Sequence, residues 1–252
     1  MATLSVIVIT RNEEHNISAC LDSVRWADEL IVVDAQSTDR TVEIAREYTP
    51  HVHVKPWLGY SEAKELALSA AAGEWVLWVD ADERVTPKLA EEIREAVRLD
   101  DRSVAGYSVP RRAYFLGKWI RHCGWYPARV VRLFRKGSGT FSDALVHERL
   151  DLNGPVGRLH HDLLHFTDEN LDHYFMKFNR YTSLAAEELF AKRRSFWLLD
   201  LLIRPPAFFF KMYVLRLGFL DGIQGLILSV LSSCYVFAKY AKLWERWRRP
   251  AE

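Results

Sequence analysis

Between residues 4 and 100 the sequence alternates β-branched apolar runs with segments of helical periodicity, and that alternation leaves few folds open. Leu4–Thr10 reads as a strand, and Glu14–Val24 then sets Ile17, Cys20, Leu21 and Val24 at the spacing of one helix face. Leu30–Asp34 is a second strand. Ser37-Thr38-Asp39 supplies N-cap oxygens for a helix reaching Tyr48, and Val52–Lys55 is a third strand. Ser61–Ala72 is an alanine-rich helix expected to end at Gly73 as its C′ residue. Trp75–Asp80 has the composition of a buried strand, and Thr86-Pro87 opens a helix with Leu89, Ile93 and Val97 on one face. Such a rhythm implies an α/β fold, with a mostly parallel, Rossmann-like sheet flanked by helices. After Asp100 it breaks. Ala105–Pro110 and Val130–Phe134 read as strands, Phe141–His165 as short strands and turns, and the chain from Glu169 onward as helices interrupted at Pro205-Pro206.

Charge separates the two ends of the chain. The total is nearly balanced, 34 Lys and Arg against 33 Asp and Glu, which gives no reason to expect a nucleic-acid partner. From Lys192 to Glu252, however, 11 basic residues face 4 acidic ones, and 12 of the 32 aromatic residues lie there. A basic, aromatic tail on an acidic body reads as an attachment surface for anionic lipid. Its longest uncharged run, Gly222–Ala238, is 17 residues with Gln224, Ser229, Ser232 and Ser233 inside it, short of the roughly 20 apolar residues of a bilayer span. We expect it not to span. The N-terminus lacks a basic region followed by an apolar stretch, so no signal peptide is expected. Cys20, Cys123 and Cys234 stand apart without CxxC spacing, which fits a reducing compartment and offers no sulfur-based zinc site.

Thr10, Asp34 and Asp80 each end an expected parallel strand, where open α/β sheets bind ligands. No GxGxxG or GxxxxGK[ST] accompanies them, so neither a dinucleotide fingerprint nor a P-loop accounts for the site. Asp80-Ala81-Asp82, taken as extended chain, puts two carboxylates about 6–7 Å apart on one side, with Ala81 leaving room above the backbone. Two such groups suit a hard divalent cation, Mg2+ or Mn2+, that takes phosphate oxygens as further ligands. The plain alternative is a solvated acidic turn before the Thr86 helix.

Three motifs occur in order, each behind strand context: Val6–Glu13, Val32–Thr41 and Gly73–Glu83. Together they resemble the family 2 glycosyltransferases of GT-A fold over the first hundred residues. The resemblance implies that Thr10, with Asn12 and Glu13 nearby, and Asp34 hold the nucleoside, a uracil N–H facing the Asp34 carboxylate. It also implies that Lys64 faces the nucleotide, that Asp80 and Ala81 lie against the ribose and diphosphate, and that Asp82, with Asp80, ligates the cation of a UDP-sugar donor. Solvated helix surface is the other reading of Lys64, and a first-turn acid favoured by the helix dipole that of Glu13. Transfer also needs a carboxylate general base for the acceptor hydroxyl. Glu148, in Val146-His147-Glu148, is the first candidate and Asp143 the second; His147 is a further cation ligand candidate. The other reading of Glu148 is a surface acid paired with Arg149. Arg129, Arg132 and Arg135 are candidates to steady diphosphate, and Trp119, Trp125 and Tyr126 to stack on a sugar. His160, His161 and His165 form a His-rich stretch that reads more simply as a polar patch.

The whole chain, on the softer signals Gly124-Trp125-Tyr126-Pro127, Arg132-Leu133-Phe134-Arg135, Val146-His147-Glu148 and Gly218-Phe219-Leu220-Asp221-Gly222, looks like the bacterial lipopolysaccharide core β-glucosyltransferases. That likeness implies a GT-A catalytic domain over residues 1–168, in which residues 1–100 bind the nucleotide and residues 101–168 the acceptor. A helical membrane-associating extension would follow over 169–252. The likeness further implies an inverting enzyme that moves glucose or a similar hexose to a lipopolysaccharide core or other glycolipid, working in the cytoplasm at the inner face of the cytoplasmic membrane. A small-residue stripe at Gly222, Gly225, Ser229 and Ser232 suits close helix packing, within the chain or in a homodimer. Two other readings compete: a same-fold transferase acting on a peptide or protein side chain, and a non-catalytic membrane-docking module that binds nucleotide sugar.

Overall fold

The computed structural model describes residues 2–56, 60–141 and 150–248. These fall into two compact units, one of residues 2–111, 129–141 and 150–165, the other of residues 112–128 and 166–248.

The first unit is built on the alternating pattern. Its elements run β1 (Leu4–Thr10), α1 (Ile17–Val24), β2 (Glu29–Asp34), α2 (Thr41–Arg46), β3 (Val52–Val54), α3 (Tyr60–Ala70), β4 (Trp75–Asp80), β5 (Glu83–Val85), α4 (Pro87–Leu99) and β6 (Gly106–Phe115). After β7 (Lys118–Trp119) come β8 (Ala128–Arg135), β9 (Gly139–Phe141), β10 (Leu150–Leu152), β11 (Val156–Arg158) and β12 (Leu163–Asp168). The main sheet has the order β3-β2-β1-β4-β8-β6-β12-β5, with β7 and β11 paired to β6; β9 and β10 form a separate hairpin. β1 is central and parallel to both β2 and β4. All seven of its residues are buried, as expected for a strand covered on both faces.

The period of two sorts those residues into separate cores. Val6 and Val8 join Ile17, Leu21, Leu89 and Ile93 of α1 and α4, while Ile7 and Ile9 join Ala67, Leu68 and Ala71 of α3 and the residue after it. The α4 boundaries follow their signals: the Thr86 hydroxyl accepts the Leu89 N–H at 3.3 Å, Pro87 begins the helix, and left-handed Asp100 (φ 46°) ends it. Gly73 differs from expectation. α3 stops at Ala70, and Gly73 instead lets the chain pass β1, where a Cβ would lie 2.6 Å from the Ser5 nitrogen. β5 was not anticipated; its three residues pair antiparallel with β12.

In the second unit the β6–β7 turn brings Phe115 and Ile120 together with Cys123, Met212 and Leu228. The helices are α5 (Leu171–Ala191), α6 (Leu198–Leu202), α7 (Arg204–Phe210) and α8 (Gly222–Arg248), with a π-helical turn at Lys211–Leu215 and a 3-10 turn at Gly218–Asp221. The helical run breaks at Ile203, just ahead of Pro205 and Pro206, which stand in the first turn of α7. Ala186, Val236, Tyr240 and Leu243 join α5 to α8, and the Lys242 ammonium donates to the carbonyl and side chain of Asn179 and to the hydroxyls of Thr182 and Ser183. Gly225 and Ser229, half of the small-residue stripe, are spent inside the unit: a Cβ on Gly225 would sit 2.0 Å from the Gly218 carbonyl, and Ser229 lies against Cys123. Among the described residues one helical stretch, Gly218–Arg248, is by length and composition long and apolar enough to cross a membrane.

Candidate active site

Parallel register lines up the polar strand ends of the first unit. Thr10 of β1 stands opposite Asp34 of β2, and Ile9, one residue earlier, opposite Asp80 of β4. The three sequence-predicted groups are therefore neighbours at one edge of the sheet. Asp34 is buried, its carboxylate accepting the Ser37 N–H at 2.8 Å and the Ser37 hydroxyl. Asn12 and Gln36 adopt left-handed backbone (φ 53° and 54°), a conformation Asn tolerates and Gln adopts less readily. The two loops then hold each other: the Asn12 N–H donates to Ser37 Oγ and its Oδ1 accepts the Thr38 N–H, both at 2.8 Å. Glu13 is tied down likewise, its N–H to Thr41 Oγ1 and its carboxylate to the Asn16 side chain. Asn12 and Glu13 thus shape the loops beside the site. Thr10 Oγ1 is the notable exception, buried without a hydrogen-bond partner.

The acidic motif takes a form that sequence reasoning missed. β4 ends at Asp80 and β5 begins at Glu83, so Ala81-Asp82 is a turn and the extended-chain spacing of the two carboxylates does not apply. Each has its own partners. Asp80 Oδ1 accepts the Trp78 indole N–H at 2.9 Å and Oδ2 accepts Arg132 at 2.6 Å. Asp82 Oδ2 lies 3.3 Å from His165 Nε2, while His165 Nδ1 is buried without a hydrogen-bond partner. The His-rich stretch is divided, for His160 and His161 both bond Glu92 at 3.0 Å.

Beneath the turn lies the unanticipated residue, Glu83, fully buried. Its Oε2 accepts the Asp80 N–H at 3.1 Å and its Oε1 accepts Arg132 at 2.6 Å, with Arg111 at 3.9 Å. One guanidinium thus bridges two carboxylates. Burial raises the Glu83 carboxyl above the ordinary range, and Asp80 adds to the effect while Arg132 opposes it. Burial works against the charge on Arg132, but Asp80 and Glu83 outweigh it and hold the guanidinium protonated. Arg132 also lies 4.0 Å from the Trp78 ring and the Lys64 ammonium 3.9 Å from it. Lys64 is 4% exposed, so it is no solvated helix residue. Three acids in the four residues 80–83 mark the region in sequence, but nothing there tells that the last is inside.

Arg129 and Arg135 have structural partners. Arg129 donates to the carbonyls of Ser108 and Leu159, each at 2.6 Å, and Arg135 to Asp100 at 2.6 Å while stacking on Trp75. Trp119, Trp125 and Tyr126 belong to the second unit, where Trp125 packs on Phe115 and Trp119 meets Tyr126 edge-on at 5.2 Å. Asp143, His147 and Glu148 lie outside the described residues.

Among the described residues no three His, Cys, Asp or Glu side chains stand close enough together to hold a metal alone. A carboxylate paired with an imidazole still fits a divalent cation that draws its other ligands from phosphate and water. Asp82 and His165 are such a pair; the oxygens of Asp80 are already engaged.

The profile described as "Glycosyl transferase family 2" matches residues 5–147. Along nearly its whole length the chain is 31% identical to the lipopolysaccharide core biosynthesis glycosyltransferase LpsC of Rhizobium meliloti, covering 96% of this chain and 92% of that one. An uncharacterized glycosyltransferase of Rickettsia typhi is also 31% identical, over 97% and 88%. The mannosyltransferase PcManGT of Pyrobaculum calidifontis, solved with GDP-Man and Mn2+, superposes with a TM-score of 0.54 at 17% identity over 96% of this chain and 87% of that one. That likeness concerns the fold, a mixed α/β GT-A arrangement with a mostly parallel sheet. The chain belongs to glycosyl transferase family 2, the nucleotide-sugar-dependent glycosyltransferases.

Proposed function

We propose that the enzyme transfers a hexose, glucose in the first instance, from a UDP-sugar to a sugar of a lipopolysaccharide core or related glycolipid, with inversion at the anomeric carbon. The observation that carries the donor half is the alignment of Asp34, Thr10 and Asp80 at adjacent parallel strand ends, with Asp82 one turn further against His165. The acceptor half rests on the likeness to a lipopolysaccharide core glycosyltransferase.

In this reading Asp34, preset by Ser37, accepts the N–H of the uracil ring, and the unpartnered Thr10 hydroxyl bonds the nucleoside beside it. Asp80, braced by Trp78 and Arg132, takes the ribose; Ala81 leaves space over the turn; Lys64 adds positive charge near the nucleotide. Asp82 and His165 would hold Mg2+ or Mn2+. When bound, such an ion supplies positive charge to the departing diphosphate. Glu148, with Asp143 as second choice, takes the proton of the acceptor hydroxyl as that oxygen forms its bond to the anomeric carbon and the bond to UDP breaks. Residues 1–168 serve as the catalytic domain and 169–252 as an extension that keeps the enzyme peripherally on the cytoplasmic face of the membrane, where a lipid-linked acceptor would be met.

Thermal-shift measurements with nucleotide sugars, with and without Mn2+, test donor and ion together, because a ligand that binds only the folded state raises its apparent stability. UDP-glucose should raise the melting temperature more with Mn2+ than without. Equal shifts from UDP-, GDP- and CDP-sugars would remove the donor assignment. Glu148→Gln should abolish turnover and spare UDP-glucose binding; normal transfer by this variant would pass the role to Asp143.

A further inference from the structure

We propose that the turn at residues 214–223 is a wedge that enters an anionic phospholipid surface, with Lys118, Arg121 and Arg216 gripping lipid phosphates around it. This rests on the membrane reading above and assigns it to one place in the second unit.

Val214, Leu215, Leu217, Phe219, Leu220 and Ile223 are between 40% and 65% exposed, six large apolar side chains in ten residues. Leu217 is also left-handed (φ 54°), an unfavourable state for leucine, and at 45% exposure little interior packing offsets it. Strain held in order to display an apolar side chain points to something outside the fold that receives it. The turn is firmly built behind that display. A Cβ on Gly218 would fall 2.7 Å from Cys123 Sγ and 2.8 Å from the Met212 carbonyl, so only glycine lets these strands of chain meet.

The charge around the turn selects the partner. Its single acid, Asp221, is 2% exposed; its carboxylate accepts the N–H groups of Arg121 (3.2 Å) and His122 (2.8 Å) and meets His122 Nδ1 at 3.0 Å. That carboxylate therefore faces inward and fastens the 118–124 loop to the turn. The Lys118 ammonium donates to the Asp221 carbonyl at 2.7 Å, and the Cys123 N–H to the Arg216 carbonyl at 3.0 Å. Arg121 stacks on Trp119 at 4.3 Å, with Arg112 at 4.1 Å from the same ring. The result is an apolar tip ringed by cations and an indole, with no exposed acid between 197 and 223, since Asp200 too is buried against Arg194 and Arg204. A protein partner needs no such collar. Lipid does: the tip enters the acyl boundary while guanidinium and ammonium groups stay at the phosphates.

The test is partitioning of the full chain onto vesicles of equimolar phosphatidylcholine and phosphatidylglycerol, against vesicles of phosphatidylcholine alone. Phe219→Asp with Leu220→Asp should lower partitioning on the anionic vesicles by about a hundredfold or more. Leu220→Ser, a milder change for a closely packed turn, should lower it about tenfold. Arg121→Gln with Arg216→Gln should cost about 25-fold on the anionic vesicles and leave the neutral ones unchanged. Phe237→Asp with Trp244→Asp, on the exposed stripe of α8, should stay within about twofold of wild type. UDP-glucose thermal shifts report that each variant is folded. Wild-type binding that persists in both tip variants would overturn the wedge and leave the membrane reading standing. A wild type that binds neither vesicle would overturn both.

Discussion

The two units handle polarity in opposite ways. At the sheet edge of the first, charged groups go inside: Asp34, Lys64, Glu83 and Arg132 are all buried. In the second, apolar groups come outside. Of the 24 large hydrophobic side chains exposed among the described residues, only Val54, Leu99 and Val156 belong to the first unit. Burying charge is costly unless each group is paired, which is why the first unit answers Glu83 with Arg132 and Asp34 with Ser37. Exposing apolar surface on this scale is unusual for a molecule wholly surrounded by water. A buried ionic site favours a small polar ligand, and an uncovered apolar surface favours an extended apolar one. The contrast fits the proposed division, with donor chemistry in the first unit and attachment in the second.

Substitutions can break that contrast. The largest effect is expected from Arg132→Met, which leaves the buried Glu83 without its guanidinium beneath the partly exposed Asp80; chemical denaturation should show a loss of about 3–5 kcal/mol. If stability held, the bridge would not be organising the motif. Next comes Asp82→Ala: on the proposed cation role it should lower kcat/KM about 10- to 100-fold with an unchanged melting temperature, and normal kcat/KM would remove that role. A smaller effect follows from the raised carboxyl of Glu83. As pH rises past the ordinary Glu range the unfolded chain ionises first, so this residue's contribution falls until its own, higher pKa is passed. Glu83→Gln should therefore flatten the decline of melting temperature with pH above the ordinary carboxylate range; an unchanged slope would mean that other groups set it. The smallest effect belongs to the second unit: Trp197→Ser and Ile223→Ser, at side chains 63% and 62% exposed, should change stability by less than about 0.5 kcal/mol. A loss of several kcal/mol there would mean that these side chains are packed and that the contrast is false.

Much of the first unit was legible because period and position agree. Ile17, Cys20, Leu21 and Val24 are buried as their spacing predicts, and Thr10, Asp34 and Asp80 are neighbours because parallel strands in register must end together. The exceptions arise where local geometry departs from a regular element. Asp80 and Asp82 were paired by assuming extended chain, but a turn separates them and gives each a distant partner, Arg132 and His165, that no local spacing encodes. Glu83 drew no reading of its own from the sequence beyond closing the third motif; its burial depends on β5 pairing with β12, a contact some eighty residues away in sequence. In the tail, composition suggests an attachment surface, yet which acids turn inward follows from the Asp221 and Asp200 bonds alone.

The single guanidinium shared by Asp80, Glu83 and the Trp78 ring carries an evolutionary consequence. None of the four side chains can drift alone without stranding another, so tolerated change at this spot must arrive in concert. Exchanging one of these residues alone should therefore destabilise the turn, whereas exchanging all four together for another mutually paired set should not.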